Sequence, residues 1–139
     1  MTGGDLFSIG IDVRFRDLDA MGHVNNAVMF TYFEEGRKHF FFGAFKGASL
    51  KDFNFILASI RCDYLHPVRL EDKPRLWMWV EDIGRKSFSL AYRLTADGDK
   101  DFVFARGRSV QVCYDYSSGR SIPVSDRMRE VLEQHRHSV

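Results

Sequence analysis

Only two cysteines, Cys62 and Cys113, occur in the chain, and neither stands in a Cys-x-x-Cys pair or in a Cys/His cluster with metal-ligand spacing. A disulfide framework is therefore not expected, and nothing in the residue pattern asks for a metal or a cofactor. Long apolar runs are missing too. No segment approaches the roughly 20 residues of a bilayer-spanning helix, and Met1-Thr2-Gly3-Gly4-Asp5 offers neither a basic start nor a continuous apolar stretch. No membrane association is expected, and the cytoplasm is the simplest location. Charge of one sign is scarce: the net charge is +1, which gives no bulk electrostatic case for nucleic acid. Neither internal repeats nor a low-complexity linker divide the 139 residues, a length suited to one core, so a single domain over 1–139 is expected.

Aromatic residues are abundant instead. With 45% apolar residues and 13 Phe, the chain can bury enough surface to exclude a disordered class. Phe7, Ile9, Ile11, Val13 and Phe15 alternate with polar or small residues, the period of a half-buried strand. If the extended backbone persists, Asp17 and Asp19 share the buried parity and point inward. Asn25 or Asn26 then caps a helix on which Val28, Met29, Phe30, Tyr32, Phe33, Phe40 and Phe41 form a broad apolar stripe, ending near Gly43. Strands are expected over about 55–64, 75–83, 87–95 and 102–114, with Ala96-Asp97-Gly98-Asp99 as a hairpin turn. After Pro123 and Ser125 a short helix follows, with Met128, Val131, Leu132 and His135 on one side.

The stretch Arg16-Asp17-Leu18-Asp19-Ala20-Met21-Gly22-His23-Val24-Asn25-Asn26 carries the chemistry. It leads from a strand through a Gly turn into a helix start, where backbone N–H groups lack intrahelical partners and the helix dipole is positive. A carboxylate facing a carbonyl polarised by such donors is equipment for acyl transfer. Asp17 reads as the structural member of the pair, helping the turn or pairing with Arg16 or Arg37. The histidines His39, His66, His135 and His137 show no ligand spacing.

Taken with Val13-Arg14-Phe15 before it, Tyr32-Phe33-Glu34-Glu35-Gly36-Arg37 on the helix and Ile83-Gly84-Arg85-Lys86-Ser87-Phe88 further on, this loop resembles the 4-hydroxybenzoyl-CoA thioesterase-like family of acyl-CoA thioesterases. The resemblance covers nearly the whole chain. It implies an α+β hotdog fold: a five-stranded antiparallel sheet wrapped around a long central helix, with a short C-terminal helix. It also implies hydrolysis of an acyl-CoA thioester, with Asp19 as nucleophile or general base and a backbone N–H near Asn26 polarising the carbonyl. The loop is also similar to that of plant acyl-ACP thioesterases, which makes His23 and Asn25 further candidates: His23 to orient water or contact the substrate, Asn25 to hold the carboxylate or cap the helix. Gly22 shapes the turn at the substrate, and Arg85, Lys86 and Ser87 are expected to meet CoA phosphates, with Arg106 and Arg108 as further cations. Homodimers or homotetramers, with a site between protomers, are expected from the same resemblance.

Departures from that family's pattern are Met29 where Tyr is frequent, Gly36 where Ala is common, and Leu70-Glu71-Asp72-Lys73 where a Gly-Asp turn is frequent. They bear on acyl preference more than on fold. Another branch of hotdog enzymes takes its carboxylate from the helix, which makes Glu34 and Glu35 comparators, although both lie a turn or more past the free N–H donors. Two other functions compete: a hotdog protein that binds an acyl thioester without hydrolysing it, and a hydratase or dehydratase. The last needs an acid/base pair that His23 alone does not supply.

Overall fold

The computed structural model describes residues 6–43 and 54–137. Strand β1 (Phe7–Gly10) leads through a 3-10 turn at Phe15–Asp17 to helix α1 (Val28–Gly43). Strands β2 (Phe55–Tyr64), β3 (Pro74–Ile83), β4 (Ser87–Ala96), β5 (Asp99–Asp115) and β6 (Arg120–Ser121) follow, and helix α2 (Asp126–Gln134) comes last. The sheet is antiparallel in the order β1-β3-β4-β5-β2, with β6 paired to β5. The expected strand and helix sequence is present, with β5 starting three residues earlier than the pattern suggested and with the two-residue β6 added. Gly98 takes a φ of 82°, the left-handed conformation that the tight β4–β5 hairpin needs.

The sheet wraps α1, the hotdog arrangement that the sequence resemblance implied. Met29, Tyr32, Phe33, Gly36, Phe40 and Phe41 are the buried positions of α1, spaced at helical intervals on the side facing the sheet. Phe33 stacks on Tyr92 of β4 with ring centroids 4.5 Å apart. At the other end of the helix Phe41 lies 4.7 Å from Phe55 and 6.3 Å from Phe88. Gly36 and Gly107 make room for side chains packed between α1 and the sheet: a Cβ on Gly36 would meet Leu76 and Met78, and one on Gly107 would meet the Phe33 ring. The C-terminal chain then closes an edge, because His135–His137 pair with Val80 beyond the end of β1. Ser125 caps α2 through its hydroxyl, which accepts from the Met128 N–H.

The first strand is shorter than its alternation implied. It ends at Gly10, and the 3-10 turn breaks the parity, so Phe15 is 81% exposed instead of buried. A period-2 argument holds only while the backbone stays extended. The expected inward aim of both carboxylates is corrected with it: Asp17 is half-buried, whereas Asp19 is exposed.

Candidate functional site

The Asp19 loop is a small hairpin laid against the end of the sheet. Leu18 and Val24 bridge antiparallel, so residues 19–23 form its tip, and the tip is anchored on the β2–β3 connection by the Val24 N–H to the Val68 carbonyl (2.8 Å) and by a His23–Arg69 bridge. Gly22 sits at φ 78° with open space around its missing Cβ. Backbone conformation, rather than crowding, accounts for glycine at this position.

Within the tip, Asp19 Oδ1 accepts the N–H of Met21 (2.9 Å) and of His23 (3.3 Å), and the Asp19 N–H donates to the His23 carbonyl (2.8 Å). These contacts orient the carboxylate. Among the described residues Oδ2 has no hydrogen-bond partner and remains available for chemistry. His23 is half-buried and bonds the carboxylate through its backbone N–H.

Asn25 and Asn26 make the passage into α1. The Asn25 Oδ1 accepts the Ala27 N–H (2.8 Å) and its N–H donates to the Asp17 carbonyl (2.8 Å), so Asn25 secures the helix entry and does not hold the Asp19 carboxylate. The Asn26 carbonyl accepts the Tyr64 hydroxyl at 2.6 Å, and the Asn26 N–H has no partner among the described residues. That exposed donor at a helix start is of the kind that polarises a carbonyl oxygen.

Asp17 is structural and helps the turn, but it pairs with neither Arg16 nor Arg37. Its Oδ2 accepts from the Arg14 N–H (2.9 Å) and from the buried Tyr32 hydroxyl (2.7 Å), while Arg37 reaches the Tyr92 hydroxyl instead. Burial first, and then the bond to Asp17 and its charge, raise the Tyr32 phenol well above the usual range, so it stays a donor. Sequence reasoning missed both Tyr32 and Tyr64 as supports, because a strand-end or stripe Tyr reads as core and nothing local says where its hydroxyl goes. Burial pushes the Cys62 thiol up to about 11 and raises Cys113 as well, the direction that disfavours a thiolate nucleophile.

Arg85, Lys86 and Ser87 are not brought to Asp19 within one chain. They form the β3–β4 turn and the start of β4, beside Ile83 and Phe88 at the far end of α1, whereas the Asp19 loop lies at its start. The helix alone separates the two groups by roughly 24 Å. Nearer to hand are Arg14 and Arg16, which share a depression of about 540 Å³ with Asp17, Tyr32 and Glu35. Arg106 and Arg108 lie on strand positions adjoining the opposite face of the sheet, and Arg108 is committed to Glu81 (2.7 Å). Glu35 pairs with Lys38 and His39, and Glu34 lines a separate depression of about 930 Å³ with Arg37, Phe41 and Tyr116. Neither helix carboxylate joins the Asp19 loop. Among the described residues no group of three or more His, Cys, Asp or Glu could hold a metal ion, and no helix is long and apolar enough to cross a membrane.

Residues 13–132 match the model of the thioesterase-like superfamily. The chain is 31% identical over 123 residues to YsmA of Bacillus subtilis (strain 168), covering 88% of this chain and 82% of the relative. It is 27% identical over 126 residues to the long-chain acyl-CoA thioesterase FadM of Escherichia coli (strain K12), covering 89% and 95%. Among solved structures, a thioesterase of Thermus thermophilus complexed with coenzyme A and Zn superposes with a TM-score of 0.81 at 34% identity, over 91% of each chain.

Proposed function

Since the chain belongs to the thioesterase-like superfamily, we propose that it hydrolyses an acyl-CoA thioester to a carboxylic acid and free CoA at the Asp19 loop. The observation that carries this reading is the division of labour on one carboxylate: Oδ1 is fixed by two amide donors, while among the described residues neither Oδ2 nor the Asn26 N–H at the following helix start has a hydrogen-bond partner. A thioester carbonyl is electrophilic and its thiolate leaves readily, so the demands are a positioned oxygen base or nucleophile and a donor for the developing oxyanion. Asp19 supplies the first and Asn26 the second. His23 borders the reacting oxygen and orients water or substrate, and Asn25 keeps the helix entry in register with Asp17. The long-chain acyl-CoA thioesterase and the coenzyme A complex among the similar proteins support an acyl-CoA substrate over a free ester.

A dimer completes the site. β2 is a ten-residue edge strand whose outer side is unpaired among the described residues, and Ile56 and Leu57 are exposed on it. Such an edge seeks a partner, and an antiparallel β2–β2 contact about a twofold axis is self-complementary. It would lay the Tyr64 end of one chain, next to Asn26, against the Phe55 end of the other. The Phe55 end is the Arg85–Ser87 end, because Cys113 bridges Phe55 and the Lys86 carbonyl. The basic turn that is remote within a chain then faces the partner's Asp19 loop and is positioned for CoA phosphates.

The test is thiol release from aromatic, short-chain and long-chain acyl-CoAs. Hydrolysis is expected, and Asp19→Asn is expected to lower kcat by about 10²- to 10⁴-fold with substrate binding retained. The Asn side chain keeps an oxygen for the Met21 and His23 amides, so the loop survives while the base is lost. Tight binding with no turnover on any thioester would replace this reading with a binding protein, and hydration of an enoyl-CoA would replace it with a hydratase. Oxygen-18 from solvent entering the Asp19 side chain during turnover marks direct attack, and label confined to the product acid favours a base role.

A further inference from the structure

The face of the sheet turned away from α1 carries a second cluster that the thioester reaction does not use. Successive strands place Trp77, Arg93 and Arg106 opposite one another across β3, β4 and β5. Arg93 and Arg106 are thus directly opposed cross-strand residues of like charge, an arrangement that is unfavourable unless something neutralises it. Among the described residues neither forms an ion pair: Asp63, which stands opposite Arg106 on β2, pairs with Arg61 at 3.8 Å, and the neighbouring Arg108 and Arg136 each have a carboxylate of their own.

Beside this pair lies a depression of about 480 Å³ whose lining includes Trp79, Arg93, Arg106, Arg136, Glu81 and Asp82. Two of its buried donors, the Trp79 Nε1 and the Arg93 Nε, have no hydrogen-bond partner among the described residues. Trp79 is only 7% exposed, and the Arg93 guanidinium lies over its ring, 5.8 Å from the centroid. The two carboxylates in the lining do not meet these donors, because Glu81 is held by Arg108 and Asp82 by Arg108 and Arg136. A buried N–H left unpaired is costly, and two of them beside two arginines that form no ion pair have one chemical complement in common. That complement is an acceptor carrying negative charge.

We propose that this depression is a binding site for the oxyanion of a small molecule, a phosphate or a carboxylate, seated between Arg93 and Arg106 and accepting from the Trp79 indole. The oxyanion would answer all three unusual features together: it takes the two orphan N–H groups and separates the facing guanidiniums, and Arg binds such groups in a forked geometry. The depression is larger than a bare phosphate and within the range of small-molecule pockets, leaving space for the rest of the ligand. On the opposite face of the sheet from α1, the site is separate from the proposed catalytic loop of its own chain.

The test is nitrogen-15 NMR of the two indole N–H groups in the full chain, titrated in parallel with inorganic phosphate and with acetate, the indoles being assigned by Trp77→Phe. The expected result is a saturable shift of the Trp79 resonance with at least one anion, weakened at least tenfold in Arg93→Gln and in Arg106→Gln. The Trp79 shift should persist in Asp19→Asn. Whichever anion binds more tightly identifies the headgroup. Arg106 is exposed, so its replacement leaves the fold intact even where Arg93→Gln does not. A Trp79 resonance that responds to neither anion, or whose response is unchanged in Arg106→Gln, would overturn the proposal. So would loss of self-association in Arg106→Gln with no anion response, which would assign the arginines to a carboxylate of a second copy.

Discussion

The Tyr32 hydroxyl lies inside the molecule and donates 2.7 Å to the Asp17 carboxylate, fifteen residues away in sequence. Asp17 in turn accepts the Arg14 N–H through its side chain and the Asn25 N–H through its carbonyl, so this one residue joins the 3-10 turn, the helix entry and the helix body. Tyr32→Phe removes a hydrogen bond to a charged group and leaves Asp17 half-buried with one partner fewer. The expected cost is about 1–3 kcal/mol in urea unfolding. Turnover should fall as well, since the loop that carries Asp19 loses an anchor. At this scale the sequence is partly legible. The Asp-x-Asp-x-x-Gly-His-Val-Asn-Asn order marks the loop, and the turn-forming role read for Asp17 is the one found, in its bond from the Arg14 N–H; the alternative pairing with Arg16 or Arg37 is not, because charge complementarity is visible in sequence and the location of a buried phenol is not.

Between elements, two glycines set how closely α1 approaches the sheet. A Cβ at position 107 would lie 2.5 Å and 2.8 Å from Phe33 ring atoms and 3.1 Å from the Arg61 carbonyl. At position 36 the nearest atoms are the side-chain ends Leu76 Cδ2 (2.5 Å) and Met78 Sδ (2.6 Å). Flexible side-chain ends can move aside, whereas a stacked ring and a backbone carbonyl cannot. Gly107→Ala is therefore expected to destabilise by about 1–3 kcal/mol, and Gly36→Ala by less, both read from the midpoints of chemical denaturation. The C-terminal closure gives a second prediction. Burial, and then the neighbouring His137, hold the His135 imidazole below its ordinary 6.5 in the folded chain. The unfolded chain binds the extra proton first, so stability is full above pH 6.5 and is lost as pH falls toward the folded value. Denaturation midpoints should drop between pH 7.5 and pH 5, and His135→Phe should flatten that slope.

For the whole molecule, assembly decides whether the two halves of the proposed site meet. A mixing experiment reads this directly. Asp19→Asn chains and Arg85→Gln/Lys86→Gln chains are each expected to be poorly active at low substrate. Refolded together in equal amounts, they should recover about a quarter of wild-type activity, since half the twofold dimers are mixed and each has one intact site. No recovery would mean that Asp19 and the basic turn serve different sites, and Arg14 and Arg16 would then be the cations to test. Sedimentation should show the dimer in the same samples.

Local patterns determined a good deal by themselves. The stripe on α1, the alternation in β4 and the Asp-Gly turn before β5 specify periodicity and turn geometry, which depend on neighbours in sequence, and the loop order pointed to the family. Tertiary structure decided what depends on closure. Only there does β1 end at Gly10, leaving Phe15 outside; only there does Tyr64 reach the Asn26 carbonyl across 38 residues, and does the β3–β4 turn fall a helix length from Asp19. Sequence encodes the preference of each segment for a period and a face, whereas the distance between two segments is set by how all of them pack at once.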